Sequence, residues 1–471
     1  MGNLFSALGS AGDALKAFQT ALDVTQNNVT NASTPGYAKQ VPGLDSLSFQ
    51  PENGLLGGVK ENTQDTRNEF AETAVRQQTS LLGQFQQLQT SLAPLQNVFD
   101  VSATSPIPTA LNQLFTSFSN WSANPGDASA RTAVLSAASQ VSAAFQQAAK
   151  QLDSIRTSTD RDIQSTVTQI NQDAALIQSY NATIARGGTP DAGVDAQLHN
   201  ALESLSNLAD VQVLRGNGNT VTVLLGGQTP LVIGEQVNVI QAQSASTTGA
   251  VNPNGAPNTQ IVDSSGNDIT SQITSGSLAG LLSVRNNLLP SLAGGANQNG
   301  ELNTLAKGLA DAVNNLQAQG STTSTPPFQA GAPIFTYDAT SATDSAKTLA
   351  VSPTITTSQL APVDIGPPVV SNGNALKLAS LDSGSQINGQ NFTQYFGSLV
   401  SRVGNAAATA DTQATAQQSL VAHAKSLRQQ LSGVSLDEEA IRLVQLQRSY
   451  QAASRIVSVV DQLAQTLLNI Q

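Results

Sequence analysis

The chain has 471 residues, which is too long for a single hydrophobic core and predicts about three domains. Charged residues make up only 11% of the sequence, against the ~25% usual in soluble proteins, and the formal net charge at pH 7 is −11. Nucleic acids and anionic membranes select clusters of Lys and Arg, and the sequence contains no such cluster, so we expect no nucleic acid and no membrane as a partner. There is no cysteine, which excludes disulfides and thiolate chemistry.

The first 30 residues predict an amphipathic helix with one apolar seam, because apolar residues recur at alternating spacings of four and three. The seam consists of Leu4, Leu8, Ala11, Leu15, Phe18, Leu22, Thr25 and Val29. We expect the helix to end near Asn27, Asn28 or Asn31, since Asn tolerates a left-handed C-cap and Pro35 follows. Residues 34–37, with the sequence TPGY, then predict a tight turn.

The middle of the chain is dominated by helical periodicity. One helix is predicted from Arg67 to Val98, and a longer one from Asp127 to Arg186. The apolar stripe of the longer helix changes phase near Thr159. One unbroken helix of this length would measure ~90 Å. The phase change marks the point at which such a helix would break.

A β-rich insertion is predicted after a further helix at about Asp195 to Leu208. The stretch 211–227, VQVLRGNGNTVTVLLGG, alternates apolar residues around a Gly-Asn turn and predicts a hairpin. Strands are expected to continue to about Ile261, and strands and loops are expected from 321 to 371. Helices are predicted from roughly Gly280, from Leu302 to Leu316 and from Phe392 to Leu431.

The C-terminal segment predicts a second single-seam helix. Ser435 and Glu438 fit a capping box at its start. Its seam consists of Leu443, Leu446, Tyr450, Ala453, Val457, Val460, Ala464 and Leu467. Periodicity alone fits an ordinary core helix and an intermolecular coiled coil equally well. The position of these seams at both ends of the chain favours assembly between copies.

No arrangement of residues predicts catalysis. His199 and His423 stand alone in the sequence and are interpreted as surface histidines, since a metal site or triad needs convergent partners. Residues 437–439, Asp-Glu-Glu, are interpreted as charges that favour a helix start. We therefore predict no catalytic residue, no metal site, no cofactor and no enzymatic activity.

Both ends of the chain resemble bacterial flagellar rod, hook and hook-associated proteins. The N-terminal resemblance lies in residues 27–37, NNVTNASTPGY, and the C-terminal one in GVSLDEEAIRLVQLQRSYQAASRIVSVVDQLAQTLLNI. Inside the chain, ITSGSLAGLLSVRNN, NGNALKLASL and FTQYFGSLVSRVGNAAATA are similar to the hook-associated proteins that join hook and filament. The family often has Ser-Arg after the Gly-Tyr corner, where this chain has Ala38 and Lys39.

The resemblance implies a mainly α fold with a β-rich insertion. It implies a terminal coiled-coil assembly domain (1–60 and 431–471), a rod-like helical-bundle middle domain (61–210, 272–320 and 372–430) and an outer β domain (211–271 and 321–371). The terminal seams would form the assembly interface, and Asn31, Gly36 and Tyr37 would set the exit angle of the chain.

The implied function is that of a structural junction protein outside the cell, assembled as a helical layer between hook and filament. Its partners would be the hook protein, a second junction protein and an export chaperone, and export would use the flagellar type III apparatus without a cleaved signal peptide.

Three alternatives remain at this point. A hook or distal rod subunit would share the chain ends, although the helical stretch from Asp127 to Arg186 disfavours it. A secreted enzyme could carry catalysis in the outer insertion, but no convergent catalytic set supports it. A membrane-inserting export translocator is disfavoured because the first helix has no basic face.

Overall fold

The computed structural model describes residues 2–50, 55–100, 106–187, 191–216 and 219–469, and within these ranges it describes the side chains of 8–46 and 59–466. It is mainly helical with short β-sheets, which confirms the predicted fold class. The helices of five or more residues are α1 (Gly2–Asn31), α2 (Glu69–Val98), α3 (Pro106–Ala123), α4 (Ala128–Ala185), α5 (Ala192–Leu208), α6 (Gly276–Ser283), α7 (Leu289–Ala293), α8 (Glu301–Gln319), α10 (Gly373–Ser380), α11 (Phe392–Ser432) and α12 (Leu436–Asn469). A four-residue helix, α9, spans Ser345–Thr348, and a π-helical turn, Val284–Leu288, connects α6 to α7.

Helix α4 is continuous over 58 residues, so no break occurs at the phase change near Thr159. The apolar stripe changes phase because the two halves of the helix belong to two different hydrophobic cores. Its first half, including Phe145 and Leu152, packs with α3, α8 and α11. Its second half, including Ile163 and Ile170, packs with α5 and the neighbouring sheet. Thr159 is buried between the two cores, and its hydroxyl donates to the carbonyl of Ile155 at 2.9 Å.

The predicted hairpin at 211–225 is present and belongs to a four-stranded antiparallel sheet in the order β3-β4-β5-β6. These strands are β3 (Val211–Arg215), β4 (Val221–Leu225), β5 (Thr229–Ile233) and β6 (Gln236–Val237). A separate pair, β7 (Gln241–Ser244) and β8 (Thr259–Val262), follows. Asn217 and Gly218 of the predicted turn lie outside the described residues. The buried side of the sheet packs on α4 and α5, so strands and helices share one core.

Where strands were expected across 321–371, the structure has one pair of two-residue strands, β9 (Phe335–Thr336) and β10 (Ala350–Val351). This expectation overestimated the strand content, because a Pro-rich, Ser/Thr-rich stretch supplies few backbone donors and few alternating apolar residues. The segment is instead fixed by isolated bridges. Ser321 pairs with both Ala330 and Val363.

A hairpin that the sequence did not predict lies between α1 and α2. It consists of β1 (Gln40–Gln50) and β2 (Leu55–Asp65), which pair antiparallel and pack against α1. Pro42 and the Gly-Gly pair at 57–58 interrupt the apolar alternation and obscure both strands in the sequence. With α1 and α12, this hairpin forms a terminal unit distinct from the two cores of the body.

Candidate assembly site at the chain ends

Helices α1 and α12 pack against each other although they lie at opposite ends of the chain. The end of α1 meets the start of α12, so the pair is antiparallel. Among the described side chains of α1, the fully buried ones are Ala17, Ala21, Thr25 and Asn28. They form a narrow stripe of small and polar side chains on a helix against which both α12 and the β1–β2 hairpin pack.

The predicted seam of α1 lies beside this stripe and is only half-buried. Leu8, Ala11, Leu15, Phe18 and Leu22 are all of intermediate exposure, and Val29 is 37% exposed. Among the seam residues whose side chains are described, Thr25 alone is fully buried. The side chain of Leu4 lies outside the described side chains. The seam therefore still presents apolar surface to solvent in the isolated chain.

The seam of α12 faces α1 along its length. Ala453 is buried, and Leu443, Leu446, Val457, Val460 and Ala464 are half-buried. Tyr450 is 36% exposed at the edge of the contact. Leu467 lies outside the described side chains. The α12 seam therefore lies on the side of the helix that packs on α1, and α1 covers it only in part.

The turn after α1 forms at the predicted position. The amide of Tyr37 donates to the carbonyl of Thr34 at 3.2 Å, and the side chain of Asn31 donates to the carbonyl of Asn27 at 3.1 Å. Gly36 has φ = +77°, and a Cβ there would lie 2.3 Å from the carbonyl oxygen of Ala196 in α5. Only glycine fits this position, because the turn needs positive φ and the backbone presses against the body.

Asn28 is the centre of the hydrogen bonds that join the turn to both terminal helices. Its Nδ2 donates to the carbonyl of Gln40 at 2.8 Å and to Oε2 of Glu439 at 3.0 Å. Its Oδ1 accepts from the amide of Gln40 and from the hydroxyl of Tyr37, both at 2.9 Å. Burial, with a contribution from the Glu439 carboxylate, raises the pKa of Tyr37 to about 12, so its hydroxyl stays protonated and donates.

Lys39 adds a charge contact to the same cluster. Its Nζ lies 2.8 Å from Oε2 of Glu438 and 3.2 Å from Oε1 of Glu439. The hydrogen bond to Glu438 is the main reason that the pKa of Lys39 is raised, with the Glu439 carboxylate acting in the same direction. The two glutamates were interpreted as helix-start charges only. The structure corrects this, because both carboxylates also bind groups of the N-terminal segment.

A buried ionic network connects this turn to the body. Nη1 of Arg67 lies 2.9 Å from Oε1 of Glu72, and Nη2 lies 2.5 Å from Oδ2 of Asp195. The same Nη2 donates to the carbonyl of Gly36 at 2.9 Å. Arg428 of α11 reaches Oε2 of Glu72 at 3.2 Å. One network therefore holds the turn, α2, α5 and α11 in a fixed relation.

His199 lies inside this network with 3% exposure, so its interpretation as a surface histidine was wrong. Its Nε2 lies 2.8 Å from Nη2 of Arg215, which can only donate, so Nε2 accepts and the ring proton is on Nδ1. Burial, followed by the charge of Arg67, lowers the pKa of His199 well below its ordinary value. The imidazole is neutral and structural. His423 is exposed on α11, as predicted.

The described residues contain no group of His, Cys, Asp or Glu that could hold a metal ion. Among the helices of the described ranges, none is long and apolar enough to cross a membrane.

Comparison with known protein families gives three matches along the chain. Residues 92–335 match the helical domain of the flagellar hook-associated protein FlgK. Residues 8–37 match the flagella basal body rod protein family, and residues 428–470 match the C-terminal family of the flagellar basal body rod proteins FlgEFG. The two terminal matches coincide with the packed ends described above.

Individual proteins agree with these matches. Flagellar hook-associated protein 1 of Bacillus subtilis is 26% identical, over 100% of this chain and 99% of its own length. The protein of the same name from Escherichia coli is 24% identical, over 99% of this chain and 100% of its own length. The structure of the flagellar hook junction protein FlgK from Burkholderia pseudomallei superposes with a TM-score of 0.64 at 18% identity, over 75% of this chain and 99% of that one.

Proposed function

This chain belongs to the FlgK family of flagellar hook-associated proteins, and from that premise we propose that it forms the junction between the flagellar hook and filament. The family is a structural component of the flagellum. In the proposed role the protein assembles as a helical layer that adapts two dissimilar polymers to each other, and it catalyses no reaction.

The observation that carries this proposal is the incomplete burial of the terminal seams. Leu15, Phe18 and Leu22 of α1, and Val457 and Val460 of α12, are half-buried even though the two helices are paired. Apolar side chains that stay half-exposed along two long helices favour further packing, which neighbouring copies can supply. Contacts in which one surface of a copy packs on a different surface of the next copy build helical layers.

The assembly interface that we propose has three parts. The first is the α1 seam, made of Leu4, Leu8, Ala11, Leu15, Phe18, Leu22 and Val29. The second is the α12 seam, made of Leu443, Leu446, Tyr450, Ala453, Val457, Val460 and Leu467. The third is the turn, in which Asn31, Gly36 and Tyr37 set the angle between the terminal unit and the body. The contact of Gly36 with α5 supports this role, because it fixes the turn against the body.

We further propose the domain division expected from the sequence. The terminal unit comprises 1–60 and 431–471, the helical middle domain 61–210, 272–320 and 372–430, and the outer insertion 211–271 and 321–371. The ionic network around Arg67 lies at the boundary between the first two, where a fixed orientation matters for a protein that joins two polymers.

The proposed partners are neighbouring copies of the chain, the hook protein on one side and the second junction protein on the other. We propose export by the flagellar type III apparatus, assisted by a chaperone, to the outer end of the hook. Neither a nucleic acid nor a membrane is among the proposed partners, in keeping with a net charge of −11.

A hook or distal rod subunit is the second candidate, because both chain ends match rod protein families. The match that favours the junction role spans 92–335, the region that contains the 58-residue α4. A hook subunit would assemble the hook itself, whereas a junction protein is needed only after the hook is complete.

Complementation of a deletion strain tests the proposal and separates the two candidates. In the source bacterium without this gene, we expect normal hooks that lack filaments, with unassembled flagellin in the medium. The full-length chain should restore filaments. Absence of hooks in the deletion strain would instead support the hook or rod subunit.

A further inference from the structure

Three short segments of the chain connect the terminal unit to the body. They are 32–39, which follows α1, 66–68, which leads from β2 into α2, and 432–435, which runs from the last residue of α11 to α12. We call these three segments the joint. Among the described elements, no helix or strand of the terminal unit packs extensively on a helix of the body. The angle between the two parts therefore depends on the contacts of the joint.

A closed ring of hydrogen bonds connects one residue from each segment of the joint. The amide of Lys39 donates to the carbonyl of Ser432 at 2.9 Å, and the amide of Thr66 donates to the carbonyl of Lys39 at 2.9 Å. The hydroxyl of Ser432 closes the ring, because it donates to the carbonyl of Thr66 at 3.0 Å. The first two bonds join backbone groups and do not depend on the side chains. The third depends on one hydroxyl.

The hydroxyl of Ser432 makes a second contact across the joint. It accepts from the amide of Asn68, the N-cap residue of α2, at 3.1 Å. Ser432 is only 4% exposed, so water has little access to replace either bond. Within the residues that the structure describes, no other hydrogen bond joins 66–68 to 432–435. One side chain that donates and accepts therefore ties the end of α11 to the start of α2.

Close packing does not replace these bonds on the side of the turn. A polar cavity of about 290 Å³ lies between the turn and the end of α11. Residues 32–37 line it on one side, and Gln429, Ser432 and Gly433 line it on the other. Dense packing is what normally prevents two parts of a protein from shifting. Because this side of the joint is open, its hydrogen bonds carry more of the constraint.

From this arrangement we infer that Ser432 is a positioning residue, whose hydroxyl holds the terminal unit at a fixed angle to the body. The turn at Gly36 acts on the N-terminal connection, whereas Ser432 acts on the C-terminal one. Both must be held, because a part that is fixed through one segment can still rotate about it. The consequence for assembly rests on the proposed function. Copies can repeat in a regular helical layer only if each copy has the same internal angle.

Distances between two spin labels test the inference, since the natural chain has no cysteine. The labels are attached at Ser419→Cys on α11 and Gln447→Cys on α12, which are both exposed positions. Along their helices the two labels lie about 20 Å and about 18 Å from the joint, at 1.5 Å per residue. The distance between them therefore changes with the angle at the joint. Double electron–electron resonance on the full-length chain measures the distribution of this distance.

We expect a single narrow distribution when Ser432 is present. Ser432→Ala should at least double the width of the distribution, whereas Ser432→Thr, which keeps a hydroxyl, should leave it narrow. Ser426→Ala is the matched control, since it makes the same change at an exposed position of the same helix. A distribution that is as narrow in Ser432→Ala as in the control would overturn the inference. Equal broadening by Ser432→Thr would overturn it as well, because the hydroxyl would then not be the cause.

A second pair of labels separates a change of angle from a general loss of structure. Ser419→Cys and Ser165→Cys place both labels in the body, at exposed positions of α11 and α4. The distribution of their distance should be the same in Ser432→Ala and in Ser426→Ala. Broadening of this distribution in Ser432→Ala would give Ser432 a merely structural role and would contradict the positioning role.

Restoration of filaments in the deletion strain tests the consequence for assembly. Under the proposed function, Ser432→Ala should restore at least tenfold fewer filaments than Ser426→Ala. Equal restoration by the two variants would overturn the role of this angle in assembly. If the unmodified chain restores no filaments, the proposed function itself fails. The distance measurements use the isolated chain, so they still decide whether Ser432 holds the angle.

Discussion

Asn28 and Glu439 are 411 positions apart in the sequence, yet the side-chain amide of one donates to the carboxylate of the other at 3.0 Å. Both side chains are completely buried. This hydrogen bond joins the end of the first helix to the start of the last, and the turn that leads into the body closes around it.

Asn28→Ala should destabilise the terminal pair, because it removes all four hydrogen bonds of the side chain and leaves the Glu439 carboxylate buried with fewer partners. We expect a loss of about 2–4 kcal/mol in the local stability of α12, measured by hydrogen exchange of its first turns. Asn27→Ala is the matched control, since Asn27 is exposed and should change the exchange little. Equal exchange in both variants would contradict the role given to Asn28.

Gly36→Ala should lower the stability of the folded chain more than Gly187→Ala does. Both glycines have φ near +78°, so both substitutions cost about 1–2 kcal/mol in backbone strain. At Gly36 the new Cβ would also meet the Ala196 carbonyl at 2.3 Å, whereas nothing lies within 4 Å at Gly187. Thermal unfolding should therefore show a clearly larger decrease in Tm for Gly36→Ala. Equal decreases would mean that the turn is not held against α5.

His199 should make the folded chain less stable in mild acid. Its pKa is lowered by burial and then by the charge of Arg67, so below its ordinary pKa near 6.5 the unfolded chain binds a proton that the folded chain does not. Stability is therefore unaffected by this group above about pH 6.5 and decreases as the pH falls below it, by at most about 1.4 kcal/mol per pH unit.

His199→Gln should remove this part of the pH dependence, because glutamine does not titrate in this range. Its side-chain oxygen can still accept from Arg215. His423→Gln is the control, since His423 is exposed. Denaturant unfolding at a series of pH values between 7.5 and 4.5 measures the slope. A slope that is the same in the wild type and in His199→Gln would refute the assignment.

Val457→Asp should weaken the contact between α1 and α12, because it places a charge on the half-buried seam that faces α1. Ser458→Asp adds the same charge one residue away on the exposed face and should leave the pair intact. We expect Ser458→Asp to restore filaments almost completely. We expect Val457→Asp to restore at least tenfold fewer filaments. Similar restoration by both would argue against the seam.

The long helices and the α12 seam could be predicted from the sequence because both depend on local periodicity. The turn at Gly36 was also predictable, since Pro35 and Gly36 specify it locally. The apolar positions of α1 were predicted as a stripe, but the fully buried residues among its described side chains are Ala17, Ala21, Thr25 and Asn28, and of these only Thr25 belongs to the predicted stripe. Small residues do not stand out in a periodicity that is defined by large ones.

The contacts of Asn28, Glu439 and His199 could not be predicted, because their partners lie far away in the sequence. A buried Asn and an exposed Asn look the same in a chain rich in Asn. The continuity of α4 could not be predicted for a related reason. A phase change in an apolar stripe indicates a helix break, and the sequence does not show that Leu152 and Ile163 belong to two different cores.

The central claim is that the terminal seams complete their packing only in the assembled layer. The most direct measurement compares hydrogen exchange of α1 and α12 in the free full-length chain with that in isolated hook–filament junctions. The account predicts that both helices exchange at least a hundredfold more slowly after assembly than in the free chain, with the two cores of the body unchanged. Equal protection of both helices in the two states would contradict it, because the seams would then be ordinary core contacts of the single chain.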